Sequence, residues 1–159
     1  MKAVVYDAGV LIAADRNNRR IWIEHRVYLE EGFLPLVPAP VLAQVSRSTQ
    51  QVQLRRFLRG CEIAIFDEAA AHRVGGLLAC TRTTDVVDAS VVELAVQRRA
   101  EIVTSDTLDI QTLVVASRAQ VRIRSFDFLP LARCASFSRD MLYSLIKITA
   151  RDFANTGLA

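Results

Sequence analysis

The chain has 159 residues, 52% of them hydrophobic and 23% charged, and a formal net charge of +3. That length favours one domain with a substantial core, and that balance excludes a disordered chain. No apolar run approaches the roughly 18 residues of a membrane span, and Lys2 leads straight into an apolar stretch without a cleavage signature, so neither a membrane anchor nor a signal peptide is expected and the expected location is cytoplasmic.

The three cysteines, Cys61, Cys80 and Cys134, form no C-x-x-C pair, and His25 and His72 are far apart. Zinc binding and a disulfide framework are therefore not expected. Eighteen of the twenty basic residues are arginine. Arginine suits phosphate recognition and stacking on bases, although a GC-rich genome produces the same bias.

In chain order, AVVYD reads as a short buried strand, followed by a helix from Ala8 to about Ala14. RIWIEHRVYLEEGF has helical spacing, with Ile21, Trp22, His25, Tyr28 and Leu29 on one face. FLPLVPA is a second strand, and PVLAQVSR starts a helix with Pro40 in its first turn. QVQLRRFLRG is a helix closed by Gly60. EIAIF is a third strand, and DEAAAHRVGGLLACT a helix capped by Asp67. DVVDASVVELAVQRR is a helix, EIVTSD a fourth strand, DTLDIQTLVVAS a helix and VRIRS a short fifth strand. Such alternation argues for an α/β fold whose mainly parallel sheet is covered on both faces. After Ser125 the pattern changes. Residues 126–159 form an extension, expected to be helical from about 137 with Met141, Leu142, Leu145, Ile148 and Phe153 on its apolar side. It is expected either to pack on residues 1–125 or to serve as an oligomerisation or partner arm.

Ligand sites in open α/β sheets lie at the carboxyl ends of strands. Asp7 ends the first strand and Asp106 the fourth, so the two meet if those strands pair. Each is also a natural cap for the helix that follows it, Asp106 especially with Asp109 three positions on. In DVVDASVVELAV the polar face is expected to be Ser90, Glu93 and Gln97, whereas Asp88 shares its side with Val91, Val92 and Ala95. Asp85 lies one turn earlier on Asp88's side. A capping role for Asp85, with Asp88 in the favoured first turn, is the structural alternative. If Asp7, Asp88 and Asp106 converge, their repulsion raises one or more pKa values. A divalent cation resolves the conflict, and oxygen ligands without Cys or His select Mg²⁺ or Mn²⁺. Such a centre activates water for attack on a phosphodiester.

The segments VVYDAGVLIAA, PVLAQVSR, DVVDASVVELA and IVTSDTLDI, in this order across residues 1 to about 124, resemble a PIN domain, and more narrowly a VapC-type toxin ribonuclease of a toxin–antitoxin pair. The resemblance implies a three-layer α/β/α domain with five strands and a Mg²⁺-dependent endoribonuclease. In it Asp7, Asp88 and Asp106 bind the metal, Asp109 matches a more variable fourth acid, and Thr104 or Ser105 orients the acids. The family's remaining acid, a Glu in the helix after the second strand, is Gln44 here. A Gln accepts a water's hydrogen bond but adds no charge, so a PIN domain that binds RNA or a protein partner without efficient cleavage is the alternative reading. Arg16, Arg19, Arg20 and Arg47 are candidate RNA contacts, or else a solvated basic surface. The resemblance also implies an antitoxin partner and a homodimer. A receiver domain needs a lysine after its last strand, and the only lysines are Lys2 and Lys147. A haloacid-dehalogenase phosphatase needs a second Asp where this chain has Gly9.

Overall fold

The computed structural model describes residues 2–126. The chain divides into two units, Met1–Asp127 and Phe128–Ala159, and the expected helix from about 137 lies outside the described residues. Phe126 belongs with the sheet: it is buried, and its backbone N–H donates to Thr104 O at 3.3 Å.

The strands are β1 (Lys2–Tyr6), β2 (Phe33–Pro38), β3 (Glu62–Ala64), β4 (Glu101–Thr104) and β5 (Ile123–Ser125). The helices are α1 (Ala8–Asp15), α2 (Arg19–Glu30), α3 (Ala39–Val45), α4 (Val52–Leu58), α5 (Glu68–Thr81), α6 (Val86–Arg98) and α7 (Thr107–Ala116). The sheet order is β3-β2-β1-β4-β5, and all four ladders are parallel. This is the three-layer α/β/α arrangement. Parallel strands buried on both faces are near-continuous apolar runs, as Val4–Val5 of β1 and Ile102–Val103 of β4 are here, each at most 1% exposed.

Right-handed crossovers place connections that run in opposite directions along a sheet on opposite faces. From β1 the chain moves out through β2 to β3, then returns past β1 to β4 and β5. Accordingly α1 packs with α2 and α4, α6 packs with α5 and α7, and α3 touches both α1 and α6. The direction of winding reverses between β1 and β4, whose register pairs Val4 with Glu101 and Tyr6 with Val103. A crevice opens outside the carboxyl ends of strands at such a reversal.

Several local expectations are corrected. Ser90, expected on a polar face, is buried, and its hydroxyl donates to Val87 O at 2.6 Å; a serine satisfied by its own helix tolerates burial. Leu29, expected on the buried face of α2, is 43% exposed, because it lies in the last turn of that helix. The third strand stops at Ala64, leaving Ile65 at 87% exposure. Gly60 does not take the left-handed conformation; the only described glycine that does is Gly32. Its role is space, since a Cβ at Gly60 would stand 2.5 Å from His25 Nε2. His25 is buried against Phe57, with ring centroids 4.1 Å apart, and its Nδ1 is 3.1 Å from the Tyr6 hydroxyl.

Candidate active site

Asp7 follows β1 and caps α1. Asp106 follows β4 and caps α7. Because β1 and β4 are adjacent but their helices leave toward opposite faces, both carboxylates stand at the crevice. Asp7 is buried, at 5% exposure. Its Oδ1 accepts from the Ala8 N–H at 2.5 Å, and its Oδ2 accepts from Thr104 Oγ1 at 2.7 Å. Thr104 Oγ1 in turn accepts from the Asp106 N–H at 2.9 Å. One threonine hydroxyl thus joins the first and fourth strand ends. Thr104 is itself fully buried, whereas Ser105 is exposed.

The third segment is the start of α6. Asp85 caps it, Oδ1 accepting from Val87 N–H at 2.9 Å and Asp88 N–H at 3.0 Å. Asp88 is half-buried, with Val91, Val92 and Ala95 fully buried along the same side. Asp109 lies exposed in the first turn of α7, its N–H donating to Asp106 Oδ1 at 3.4 Å. Three helix N-termini therefore meet, each capped by an aspartate, and their partial positive ends offset part of the carboxylates' repulsion. Capping and convergence hold together at these positions; neither excludes the other.

The electrostatics record the crowding. Burial raises the Asp7 carboxyl above the usual range; the Thr104 hydroxyl and the amides of Ala8 and Gly9 pull it down, and Asp106 pushes it up. Asp88 is pushed up to about 7, first by burial and then by Asp85, Asp7, Asp109 and Asp106. Four other carboxylates act on this one group. Among the described residues, no three acidic, His or Cys side chains stand close enough to form a ready-made cation cage. The donors are nonetheless all oxygens, and each carboxylate oxygen keeps a lone pair beyond its hydrogen bond, which suits a hard divalent cation.

Gln44 is exposed near the end of α3, the helix that touches both α1 and α6. Arg16 caps the far end of α1, about 13.5 Å from Asp7 along the helix axis. Arg19 and Arg20 open α2, and Arg47 lies between α3 and α4; all four arginines are exposed. The structure thus gathers Asp7, Asp88, Asp106, Asp109 and Thr104, and sets these arginines at the opposite end of α1. A cleft of about 300 Å³ bordered by Pro40, Phe66, Arg73, Glu93 and Gln97 contains none of the four aspartates. Sequence reasoning missed Gly9. A Cβ there would stand 2.1 Å from Ser105 Oγ and 3.1 Å from Ser105 Cβ, so any larger residue forces the Ser105 side chain to turn or the β4–α7 turn to give way. The signal was present, a glycine two residues after the strand-ending acid, but only the pairing of β1 with β4 gives it meaning.

No protein-family model matches the sequence, and no curated protein does. Solved structures do match. The VapBC2 complex from Rickettsia felis, bound to a DNA fragment from its promoter, aligns with a TM-score of 0.59 at 15% identity over 77% of this chain and 98% of that one. A toxin–antitoxin complex from Klebsiella pneumoniae gives 0.53 at 20% identity over 67% and 88%. PAE2754 from Pyrobaculum aerophilum gives 0.53 at 16% over 79% and 92%. At these identities the likeness establishes the fold, which is a VapC-like PIN fold.

Proposed function

We propose that this chain is a Mg²⁺-dependent endoribonuclease and the toxin of a type II toxin–antitoxin pair. The observation that carries the reading is the convergence of Asp7, Asp88, Asp106 and Asp109, from three separate segments, at the reversal of a VapC-like PIN sheet. Asp7, Asp88 and Asp106 would hold Mg²⁺, with Mn²⁺ as a substitute, and the ion would supply an activated water for in-line attack on an RNA phosphodiester. Thr104 fixes the orientation of Asp7 and takes its place in line with Asp106. Burial and the neighbouring carboxylates push the Asp88 carboxyl up to about 7, and a carboxylate must be deprotonated to serve as a ligand, so binding of the ion would displace its proton. Ser105 lines the same turn. Arg16, Arg19, Arg20 and Arg47 offer contacts to the RNA backbone beyond the acids.

The likeness to toxin–antitoxin complexes supports an antitoxin partner, proposed to cover the acidic crevice, and a homodimer is proposed beside it. The proposed location is the cytoplasm. No helix among the described residues is long and apolar enough to cross a membrane.

The test is RNA cleavage by the purified chain and growth arrest on its expression. Asp7→Asn abolishes both; metal-dependent cleavage that survives this change sinks the reading. One observation favours a second reading, a PIN domain that binds RNA or a protein partner and cuts poorly. Gln44 stands exposed on the helix between α1 and α6 and brings no charge to the site. Gln44→Glu separates the two readings, since a damaged site regains cleavage and an intact one is indifferent.

A further inference from the structure

Four described arginines pair with carboxylates: Arg26 with Glu30, Arg73 with Glu93, Arg98 with Glu62 and Arg124 with Glu24. Arg16, Arg47, Arg55, Arg56 and Arg59 pair with none of the described acids, and neither do Arg19, Arg82, Arg99, Arg118 and Arg122, which lie elsewhere on the fold. The first five are exposed and lie on α4, in the loop before it or at the end of α1. On α4 the buried side is Leu54 and Phe57. The opposite stripe at i, i+3, i+4 and i+7 is Val52, Arg55, Arg56 and Arg59. Three of its four positions are guanidinium groups.

Two junctions tie the other arginines to this stripe. Gln51 Nε2 donates to Asp15 Oδ2 at 2.9 Å and to Val45 O at 3.0 Å. Its Oε1 accepts from the N–H groups of Arg47 at 2.8 Å and Ser48 at 3.1 Å. The other Asp15 oxygen accepts from Leu54 N–H at 3.3 Å. Asp15 thus spends its oxygens on the backbone and on Gln51 and forms no ion pair with an arginine. It also holds the end of α1 beside Arg16, the loop carrying Arg47 and the start of α4 as one unit. At the second junction Arg56 lies over the Trp22 ring, 5.6 Å from its centroid, while Trp22 Nε1 donates to Ala14 O at 3.2 Å. A guanidinium within about 6 Å of an indole face is attracted to it and is held near the ring.

We infer that the α4 stripe Arg55, Arg56 and Arg59, continued by Arg47 and Arg16 and backed by Trp22, is the track that holds a single RNA strand as it leaves the acidic crevice. The inference rests on the proposed action on RNA and names where the strand runs. Arg55 and Arg59 are four residues apart, about 6 Å along the helix axis, close to the separation of successive phosphates on an extended strand. Arginine without lysine, one guanidinium on an aromatic ring and no competing carboxylate suit phosphates and exposed bases. An acidic protein surface would need only the charge.

The experiment measures binding without cleavage, so it stands apart from the nuclease assay. A short fluorescein-labelled single-stranded oligoribonucleotide is titrated with the full chain in EDTA at several salt concentrations. The variant Arg55→Gln with Arg56→Gln and Arg59→Gln keeps helix-forming side chains at exposed positions, and its melting temperature reports whether it folds. Binding is expected to weaken about tenfold or more, with the log–log salt slope shallower by about two, at roughly 0.7 per arginine. The comparison variant, Arg26→Gln with Arg98→Gln, removes two exposed paired arginines and is expected to change the slope far less. Any one of three results overturns the inference: an unchanged slope in the triple variant, an equal loss per arginine in the comparison variant, or a wild-type chain that does not bind the oligonucleotide. If the triple variant binds RNA normally but loses affinity for polyglutamate, the stripe belongs to an acidic protein partner instead.

Discussion

Thr104 Oγ1 donates to Asp7 Oδ2 at 2.7 Å, joining residues 97 positions apart. The bond holds the first acid against the end of the fourth strand and lowers the pKa that burial raises. Thr104→Val keeps the shape and removes the donor. It is expected to weaken Mn²⁺ binding, measured by calorimetry, by about tenfold or more, the usual scale for losing a group that orients a ligand. Thr104→Ser is expected to restore most of that loss.

Asp88→Asn is expected to stabilise the fold above neutral pH in EDTA. A carboxyl whose folded pKa of about 7 lies above its ordinary value binds more protons folded than unfolded. Stability is therefore lost as pH rises through about 4 to 7. Because Asp88 is half exposed, solvent screening reduces the effect to about 1–2 kcal/mol. Thermal melts should show a gain of a few degrees at pH 8 that vanishes near pH 4; a constant gain at both excludes the titration of Asp88 as its cause.

His25 has the opposite sign. Burial lowers its pKa from 6.5 to about 4, so the unfolded chain binds the proton first and stability is lost as pH falls from about 6.5 to 4. His25→Gln is expected to flatten that acid limb by about 2–3 kcal/mol, read as the difference in urea midpoints between pH 7 and pH 4.5. The raised carboxyls of Asp7 and Asp88 slope the other way, and comparing the variant with the parent cancels them.

Gly9→Ala tests how closely α1 must approach the β4–α7 turn. An alanine favours the helix by up to about 1 kcal/mol, but its Cβ collides with Ser105, an overpacking that costs about 1–3 kcal/mol. A net loss near 1 kcal/mol is expected, relieved when Ser105→Gly is added. Additive changes in the double variant would show that the two residues do not press on each other.

Gln44→Glu returns a charge to the helix lying against α1 and α6. Mn²⁺ affinity is expected to rise about tenfold if the added carboxylate reaches the ion, and calorimetry reads this with or without cleavage.

The sheet was legible because its pattern is local: VVY and IVT are short apolar runs, and a run buried on both faces needs no alternation. The acids were legible for a related reason. An aspartate closing such a run must point out of the sheet's edge, and Asp88 stands out by sharing the side of Val91, Val92 and Ala95. What stayed hidden depends on contacts between distant segments. Ser90 reads as polar until its hydroxyl is seen to bond Val87 O. Gly60 reads as a helix stop until His25 is found in the space it leaves. Gly9 reads as a poor helix residue until Ser105 is placed against it. The arginines at 16, 47, 55, 56 and 59 could be counted in the sequence, but not which of them lack a carboxylate partner.

The order β3-β2-β1-β4-β5 has one more consequence. Everything before the Arg82–Thr84 loop builds β1, β2, β3 and the helices around them; everything after it builds α6, β4, α7 and β5. The two contiguous halves of the described chain meet along the ladder between β1 and β4 and where α3 and α5 pack on α6, and Asp7 comes from one half while Asp88, Thr104 and Asp106 come from the other. Neither half owns the crevice. A chain nicked between Arg82 and Thr84 would carry its acids on two pieces, and the site would exist only where those pieces reassemble.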